Sequence, residues 1–474
     1  MLVVSYKQEI YGQRGRLMSD KRVYSDNPRV LAVQTLAKIK NGAYSNLQLN
    51  QVIKQHQLGE ADKRLLTTLV YGVIQHRLTF EYWLTPFIGN KKIDAWVREL
   101  LYTAMFQMKF LDKIPEHAIF NESIEVAKIL GHVGTGKFVT AILHNIARQG
   151  LRDIGDIKDP IQRLSIEKSL PVWFINELVK QHGEEKTRAL VETINDVPNQ
   201  SIRVNTVVVT DDDVIKSLES ENYTTVKSLV ADHAYVVSGG HVASSKAYHD
   251  GWLTIQDESA MLPVESMHLT ADVKTILDAA AAPGGKTTQI AQYISADAKI
   301  TALDIHEHKI KLINNNAQRL HVADRIQTRI LDARKVPNEI DTKFDRILVD
   351  APCSGFGLLR RKPEIRYDKT LEDVQNLAQL QFDILDSVSQ NVADNGMMVY
   401  STCTILSQEN DDVVTKFLLA HTEFELIPTQ TIKNLKPNRG EDVLHVYPND
   451  YQTDGFFVAT FKKRASIDTA NIKK

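Results

Sequence analysis

The sequence predicts a multidomain protein: an all-α N-terminal domain, a small α+β module and a C-terminal α/β domain of the doubly wound, Rossmann-like kind. Three observations predict this order. Apolar residues recur three and four positions apart over about 27–150, helices and strands mix over 165–250, and short apolar strands alternate with helices after residue 273. A chain of 474 residues is also too long for one ordinary domain.

The first domain is expected to be helical over residues 23–155. The helical period is clearest in the stretches VLAVQTLAKI, RLLTTLVYGVI, AWVRELLYTAMFQMKFL and AIFNESIEVAKIL. Breaks at KNGAY and FIGNKK separate them, as loops between helices do. Residues 1–22 have no convincing period, and we interpret them as a leader upstream of the true start.

The α+β module is expected over 160–250. Two helices, PVWFINELVKQH and EKTRALVETIN, precede a strand in SIRVNTVVV, a helix opened by Asp211–Asp213 and a β-rich return through AYVVSGG. The α/β domain follows over 251–464, with a tail at 465–474. Its predicted strands are TILDA, ITALDI, IQTRILDA, FDRILVDAP, NGMMVYSTC and GFFVATF.

The distribution of charge favours a nucleic-acid partner. The net charge is -2, yet residues 21–150 hold 17 basic and 10 acidic side chains. A basic front end on a nearly neutral chain suits RNA or DNA, although a solvated helical surface is the simpler explanation. No apolar run has the length that a bilayer requires, and we recognise no signal peptide, so the expected location is the cytoplasm. Two cysteines exclude a disulfide framework and a cysteine-rich zinc site.

A glycine loop after the first α/β strand predicts a cofactor site. Ligands of open α/β sheets bind at the carboxyl ends of the strands, where glycine lets the backbone come close. The loop is neither the GxGxxG of dinucleotide sites nor the GxxxxGK[ST] of triphosphate sites, and a plain tight turn is the competing explanation. The predicted cofactor-binding residues of the loop are Ala280, Ala281, Ala282, Pro283, Gly284, Gly285 and Lys286.

Carboxylates also end the next three strands. Asp304, Asp332 and Asp350 follow the second, third and fourth strands and should meet at the same sheet edge. A carboxylate in the second position binds ribose hydroxyls in dinucleotide folds, and one in the third position can accept from an adenine amino group. Helix N-caps are the alternative use of each aspartate, although several in register favour a ligand site.

Both cysteines lie just past strand ends. Cys353 follows the fourth strand in DAPCSG, and Cys403 follows the fifth in STCT. A structural cysteine is more often found inside a strand or helix as a small hydrophobe. The placement therefore favours two reactive thiols beside the cofactor site.

Together these motifs resemble those of the NOL1/NOP2/Sun (Sun) family of RNA (cytosine-5) methyltransferases. The residues that carry the resemblance are DAAAAPGGK, DAPCSG, GLLRRKPEIRY and STCT, and the helical front end resembles the NusB-like RNA-binding domain. The resemblance spans nearly the whole chain after residue 22. It implies a class I methyltransferase domain that uses S-adenosyl-L-methionine, and the front end implies small-subunit (16S) ribosomal RNA as substrate. Ala280 departs from the family's usual cysteine, in the cofactor loop rather than among the reactive groups.

The resemblance also assigns roles. Cys403 would add to carbon 6 of the cytosine, so that carbon 5 becomes nucleophilic, which divides one difficult step into easier ones. Asp350 would hydrogen-bond N3 and the exocyclic amino group, besides its place in the cofactor site. Cys353 would assist release of the product by elimination. The target base must leave its stack to reach these groups.

Positive charge has two expected uses. A thiol needs a lowered pKa or a nearby base, and Lys286 is a candidate source of positive potential. The cluster Arg360, Arg361 and Lys362 is a second one, although we expect it to contact RNA phosphates instead.

Three other functions stay open at this point. A cytosine-5 methyltransferase of transfer RNA or of another ribosomal site has the same motifs. A non-catalytic RNA-binding assembly factor is a second alternative, disfavoured because both cysteines are present, and a nicotinamide oxidoreductase is a distant third. His144, His241 and the other histidines lack metal-ligand spacing, so we expect no metal. We also expect a monomer.

Overall fold

The computed structural model describes residues 26–40, 45–89 and 91–465, which form two compact units. The first unit holds the chain up to Asn176 together with Lys362–Asp368, and the second holds Glu177–Arg361 and the chain from Lys369. The predicted leader, residues 1–22, lies outside the described residues. So does the predicted tail, except for residue 465.

The first unit is built from helices, which confirms the predicted all-α domain. They are α1 (Pro28–Ile39), α2 (Ser45–Gln55), α3 (Glu60–Gln75), α4 (Arg77–Ile88), α5 (Ala95–Phe110), α6 (Glu116–Leu130), α7 (Val133–Gln149), α8 (Pro160–Lys168) and the beginning of α9 (Val172–Glu192). Asn27 begins α1, because its side chain accepts a 2.8 Å hydrogen bond from the Arg29 amide. The core buries the apolar faces, with Leu36, Leu66 and Phe80 fully inaccessible.

Helix α9 consists of two helical stretches, as the sequence predicts. Gly183 separates them with φ 78° and ψ 168°, a backbone conformation outside the helical region. The chain passes from the first unit to the second within this helix, between Asn176 and Glu177.

The small α+β module forms the smaller, four-stranded sheet of the second unit. Its elements are β1 (Ser201–Val204), α10 (Asp211–Ser220), β2 (Thr224–Lys227), β3 (Ala234–Ser238), α11 (Lys246–His249) and β4 (Leu253–Ile255). The strands pair antiparallel in the order β2-β3-β1-β4. Strand β2 is missing from the sequence prediction, because its TTVK sequence is largely exposed and carries no apolar alternation.

The α/β domain supplies the larger sheet of the second unit. Its elements are α12 (Leu262–Glu265), β5 (Thr275–Asp278), α13 (Gly285–Tyr293), β6 (Lys299–Asp304), α14 (Glu307–Arg319), β7 (Ile326–Ile330), α15 (Val336–Glu339), β8 (Phe344–Asp350), α16 (Ile365–Asp368, within the first unit), α17 (Leu371–Ser389), β9 (Val392–Thr402), α18 (Asp411–Ala420), β10 (Phe424–Ile427), β11 (Leu444–Val446), α19 (Pro448–Tyr451) and β12 (Phe456–Lys463). The described strands follow the order β10-β12-β9-β8-β5-β6-β7, and β11 pairs with β12.

The sheet is parallel from β7 to β9 and antiparallel where β12 joins β9. This confirms the predicted doubly wound, mostly parallel domain. Because β5 has β6 on one side and β8 on the other, the strand order reverses beside β5. Ligands of such folds bind at this switch point.

The segment Lys362–Asp368 completes the first unit. Glu364 accepts a 2.8 Å hydrogen bond from the Ser45 hydroxyl, and the fully buried Arg366 donates to the carbonyls of Gln75 and Lys168 at 3.1 and 3.2 Å. Tyr367 packs against the helical core. A remote piece of chain therefore supplies buried polar partners to helices whose contacting residues precede it by 198 to 319 residues.

Candidate active site

A cavity of about 340 Å³ opens at the carboxyl ends of β5 to β9. Among its lining residues are those predicted from the strand ends and the loop: Ala280, Ala282, Asp304, Asp332, Asp350, Cys353 and Cys403. Ala281, Pro283, Gly284, Gly285 and Lys286 belong to the same loop but do not line the cavity. Residues of the glycine loop and both cysteines therefore line the same cavity.

The two cysteines face each other. Their Sγ atoms are 3.1 Å apart, and both are free thiols with partly exposed side chains. The contact with the Cys403 sulfur, together with burial, raises the pKa of Cys353 well above its usual range. Cys353 therefore stays protonated while its neighbour is close.

Hydrogen bonds hold the two cysteine loops together. The Gly357 amide donates to the Cys403 carbonyl at 2.9 Å, and the hydroxyls of Ser354 and Thr404 lie 3.0 Å apart. The buried Glu409 accepts from the Ser354 amide at 2.8 Å and from its hydroxyl. Burial raises the pKa of Glu409. These bonds fix the distance between the thiols.

Asp350 is held at both carboxylate oxygens. Oδ2 forms a 2.8 Å ion pair with the Lys286 ammonium, and Oδ1 accepts a 2.9 Å hydrogen bond from the Ser401 hydroxyl. Ser401 was not among the residues predicted from the sequence. Its position was a usable signal, since residues two apart on a strand point to the same face, and Ser401 is two residues before Cys403.

Asp304 and Asp332 line the cavity and also cap backbone turns. Asp304 accepts from the His306 amide at 2.9 Å, and Asp332 accepts from the Arg334 amide at 3.0 Å. Asp332 also pairs with the Arg334 guanidinium at 2.6 Å, and the hydrogen bonds from Arg334 lower its pKa. The ligand-binding and capping interpretations are therefore compatible for both residues.

The glycine loop is tightly packed. Gly284 has φ 102°, and a Cβ atom there would lie 3.1 Å from the Ile313 Cα, so a larger residue would be strained. Behind the loop, the fully buried Asp278 accepts from the Thr287 hydroxyl at 2.7 Å, while its Oδ1 has no hydrogen-bond partner. Burial raises the pKa of Asp278 to about 7.

A buried arginine of the α+β module supports the start of α13. Arg203 is inaccessible to solvent and donates to the Gly285 carbonyl at 2.9 Å and to the Thr288 hydroxyl at 3.1 Å. Burial lowers its pKa to about 9. Sequence reasoning missed Arg203, because the acceptors of its side chain lie 53 to 89 residues further along the chain.

The prediction that the basic cluster Arg360, Arg361 and Lys362 contacts RNA phosphates needs a correction. Arg360 is buried and donates to the Thr453 carbonyl, and Arg361 pairs with Asp257 and Asp454, each at 2.7 Å. Both guanidinium groups are bound by acceptors of the chain itself, so they are not placed for phosphate contact as expected. Lys362 is exposed.

The described residues contain neither a cluster arranged for a metal ion nor a helix that could cross a membrane. Over 26–40, 45–89 and 91–465, no group of three or more histidine, cysteine or carboxylate side chains is arranged to hold a metal ion. Across the same ranges, every helix is too short or too polar to traverse a bilayer.

Three family models match the chain. The model described as 16S rRNA methyltransferase RsmB/F matches residues 267–462, the NusB family matches 26–148, and the ferredoxin-like domain of RsmF/B-like methyltransferases matches 170–242. These matches follow the order of the helical unit, the α+β module and the α/β domain.

Curated relatives extend over almost the full length. A probable ribosomal RNA small subunit methyltransferase B of Bacillus subtilis is 38% identical over 92% of this chain and 98% of its own. The ribosomal RNA small subunit methyltransferase B of Photorhabdus laumondii is 30% identical over 86% and 92%.

Solved structures share the fold. The crystal structure of PH0851 has a TM-score of 0.79 at 24% identity, over 92% of this chain and 99% of its own. NSun6 from Pyrococcus horikoshii has a TM-score of 0.55 at 21% identity, over 62% and 99%. The relatives and the family models agree: this chain is an enzyme of the RsmB/F family of methyltransferases, to which the ribosomal RNA small subunit methyltransferases B belong.

Proposed function

We propose that this enzyme methylates carbon 5 of a cytosine in 16S ribosomal RNA, of the cytosine-967 type, through a covalent bond between Cys403 and carbon 6. One observation carries the proposal: two thiols 3.1 Å apart line the same cavity as Asp350 and the glycine loop. A thiol that adds to a ring carbon and a second group that removes a proton are what covalent cytosine methylation requires.

The sulfur contact supports the division of roles. Because the Cys403 sulfur and burial raise the pKa of Cys353, the Cys353 thiol is poorly suited to attack as a thiolate. Cys403 is the sulfur that adds to carbon 6. Cys353 takes part later, in the elimination that breaks the bond between Cys403 and the product.

Asp350 is suited to bind the cytosine ring. Lys286 and Ser401 fix its carboxylate in one orientation at the end of β8. A carboxylate there accepts a hydrogen bond from the exocyclic amino group and from a protonated N3. Protonation of N3 withdraws electrons from carbon 6 and favours addition of the thiolate.

The other half of the cavity suits S-adenosyl-L-methionine, which supplies a methyl group on a sulfonium. Asp304, at the end of β6, would accept from ribose hydroxyls, and Asp332 from the adenine amino group. Gly284 and the buried Asp278, whose Oδ1 has no partner, fit a ligand that approaches the loop backbone. We include Ala280, Ala281, Ala282, Pro283, Gly285, Lys286 and Asp350 in this site.

The proposed substrate rests on the relatives and on charge. The relatives are named for the small ribosomal subunit, and the front end of this chain, residues 21–150, has seven more basic than acidic residues. We propose that this part and the exposed Lys362 contact RNA phosphates. We further propose a cytoplasmic monomer with no metal.

Transfer of a tritiated methyl group to RNA tests the function. The purified enzyme should label an in vitro transcript of 16S RNA, and bisulfite sequencing should find one modified cytosine. A mixture of transfer RNAs is the matched competitor substrate. If only transfer RNA is labelled, the substrate is transfer RNA and the proposed 16S substrate is wrong. If neither RNA is labelled, the result favours a non-catalytic assembly factor.

A further inference from the structure

The contact between the two cysteines has a chemical consequence outside methylation. A disulfide bond has an S–S length of about 2.05 Å, so the 3.1 Å between the Sγ atoms exceeds it by only about 1 Å. The two sulfurs are therefore already close to bonding distance. Both side chains are partly exposed in a cavity of about 340 Å³, which is large enough for a small oxidant.

The loops cannot easily separate the thiols. The Gly357 amide binds the Cys403 carbonyl, and the Ser354 hydroxyl lies 3.0 Å from that of Thr404. The Glu409 carboxylate holds Ser354 in place by accepting a 2.8 Å hydrogen bond from its amide. The reaction between two groups held in contact is intramolecular, so each group meets the other at a high effective concentration.

We propose that Cys353 and Cys403 form an oxidation site, which a hydroperoxide converts to an intramolecular disulfide and a dithiol reductant restores. The chemistry of the disulfide is independent of methylation. Its effect on activity rests on the proposed function, because the disulfide occupies the sulfur that would attack cytosine and the sulfur that would assist release.

The reaction proceeds in two steps. The Cys403 thiolate attacks one oxygen of hydrogen peroxide, the O–O bond breaks, and Cys403 becomes a sulfenic acid while the other oxygen leaves as water after protonation. The Cys353 sulfur then attacks the Cys403 sulfur, the S–O bond breaks, and the proton of Cys353 leaves with the hydroxyl as a second water. In sum, two thiols are oxidised, one peroxide is reduced and two waters form.

Cys353 has a protective role in this scheme. A sulfenic acid without a nearby thiol is oxidised further to the sulfinic acid, which a dithiol does not reverse. Since the second thiol is already in contact, disulfide formation competes well with that step. The site therefore becomes inactive under peroxide without being destroyed.

Intact-mass spectrometry tests the proposal on the full-length protein without RNA. A short treatment with a few equivalents of hydrogen peroxide should lower the mass by about 2 Da and abolish both titratable thiols, and dithiothreitol should restore them. Since the chain has only these two cysteines, the thiol count is unambiguous. Non-reducing electrophoresis should show a monomer.

Cys353→Ser is the matched control. It should gain about 16 or 32 Da instead, and the larger addition should survive dithiothreitol. The proposal is overturned if the wild-type protein gains the same oxygen additions, keeps both thiols or becomes a disulfide-linked dimer. None of these measurements needs methylation, so a protein that forms the disulfide but methylates no RNA would refute the proposed function and leave the oxidation site intact.

Discussion

The Ser401 hydroxyl donates a 2.9 Å hydrogen bond to Oδ1 of Asp350, the carboxylate whose other oxygen is paired with Lys286. Ser401 is fully buried on β9, two residues before Cys403. The same strand therefore positions the carboxylate of the neighbouring strand and presents the thiol.

Replacing Ser401 by alanine should slow methylation with little change in substrate affinity. The variant loses a hydrogen bond worth about 1–2 kcal/mol, so the kcat should fall roughly tenfold if Asp350 must keep its orientation. Steady-state kinetics give the answer. Ser389→Ala is the control, because it removes another largely buried serine hydrogen bond, to the Asp386 carbonyl. Equal kcat values for both variants would argue against the positioning role.

The two cysteine variants should behave differently with RNA. Cys403→Ala should form no covalent adduct and no product. Cys353→Ala should still attack and methylate, and then accumulate as a protein–RNA adduct that survives denaturing electrophoresis, because a covalent intermediate builds up when its breakdown is impaired. An adduct in Cys403→Ala alone would exchange the two roles.

Asp304→Ala should weaken binding of S-adenosyl-L-methionine at least tenfold, or by about 1.4 kcal/mol, because the ribose loses its carboxylate acceptor. Isothermal titration calorimetry measures this without RNA. Asp324→Ala removes an exposed carboxylate outside the cavity and should bind normally. Unchanged affinity in Asp304→Ala would remove this residue from the site.

Lys91→Glu combined with Lys92→Glu should weaken RNA binding, and the loss should be greatest at low salt. Both side chains are exposed in the loop before α5. If both contact phosphates, the slope of log K against log[salt] should become shallower by about 1 to 2. Lys91→Arg combined with Lys92→Arg is the control: it keeps both positive charges and should bind RNA like the parent protein. A salt dependence that stays the same in the glutamate variant would place the RNA elsewhere.

Asp278 should make stability depend on pH. Burial raises its folded pKa to about 7 from an ordinary value near 3.8, so the folded state holds its proton more tightly than the unfolded state. The contribution of this residue to the free energy of unfolding should therefore fall as the pH rises from about 4 to 7, and level off above 7.

Asp278→Asn isolates that contribution, since the amide does not titrate. Urea unfolding at several pH values should show the wild type losing stability relative to the variant as the pH rises. Other buried carboxyls are present in both proteins and cancel in the difference. A difference that is constant with pH would mean that Asp278 is already ionised in the folded protein at low pH.

The positions of the strand ends were enough to predict from the sequence which of these residues lie at one edge of the sheet. Asp304, Asp350 and Cys403 each follow a parallel strand directly or end it, and parallel strands bring their carboxyl ends to one edge whatever lies between them. The prediction needed only the strand boundaries. It failed to include the short strands β10 and β11, whose four and three residues resemble ordinary loop sequence.

Side-chain partners across long separations were not predictable. Arg361 looked available for phosphate in the sequence, yet its acceptors are Asp257 and Asp454, each about one hundred residues away. Local patterns describe which face a residue occupies, whereas the identity of a buried ion-pair partner depends on the tertiary fold. The same reason hid the contribution of Arg203 to the loop.

The segment that completes the helical unit also sets the timing of its folding during translation. The helices up to Asn176 emerge from the ribosome ahead of residues 177–361, and Lys362–Asp368 emerges only after those residues. At about 5–20 residues per second, this interval lasts roughly ten to forty seconds. For that time the backbone carbonyls of Gln75 and Lys168 lack the guanidinium of Arg366, so the nascent helical unit should reach its final stability only when most of the polypeptide has been synthesised.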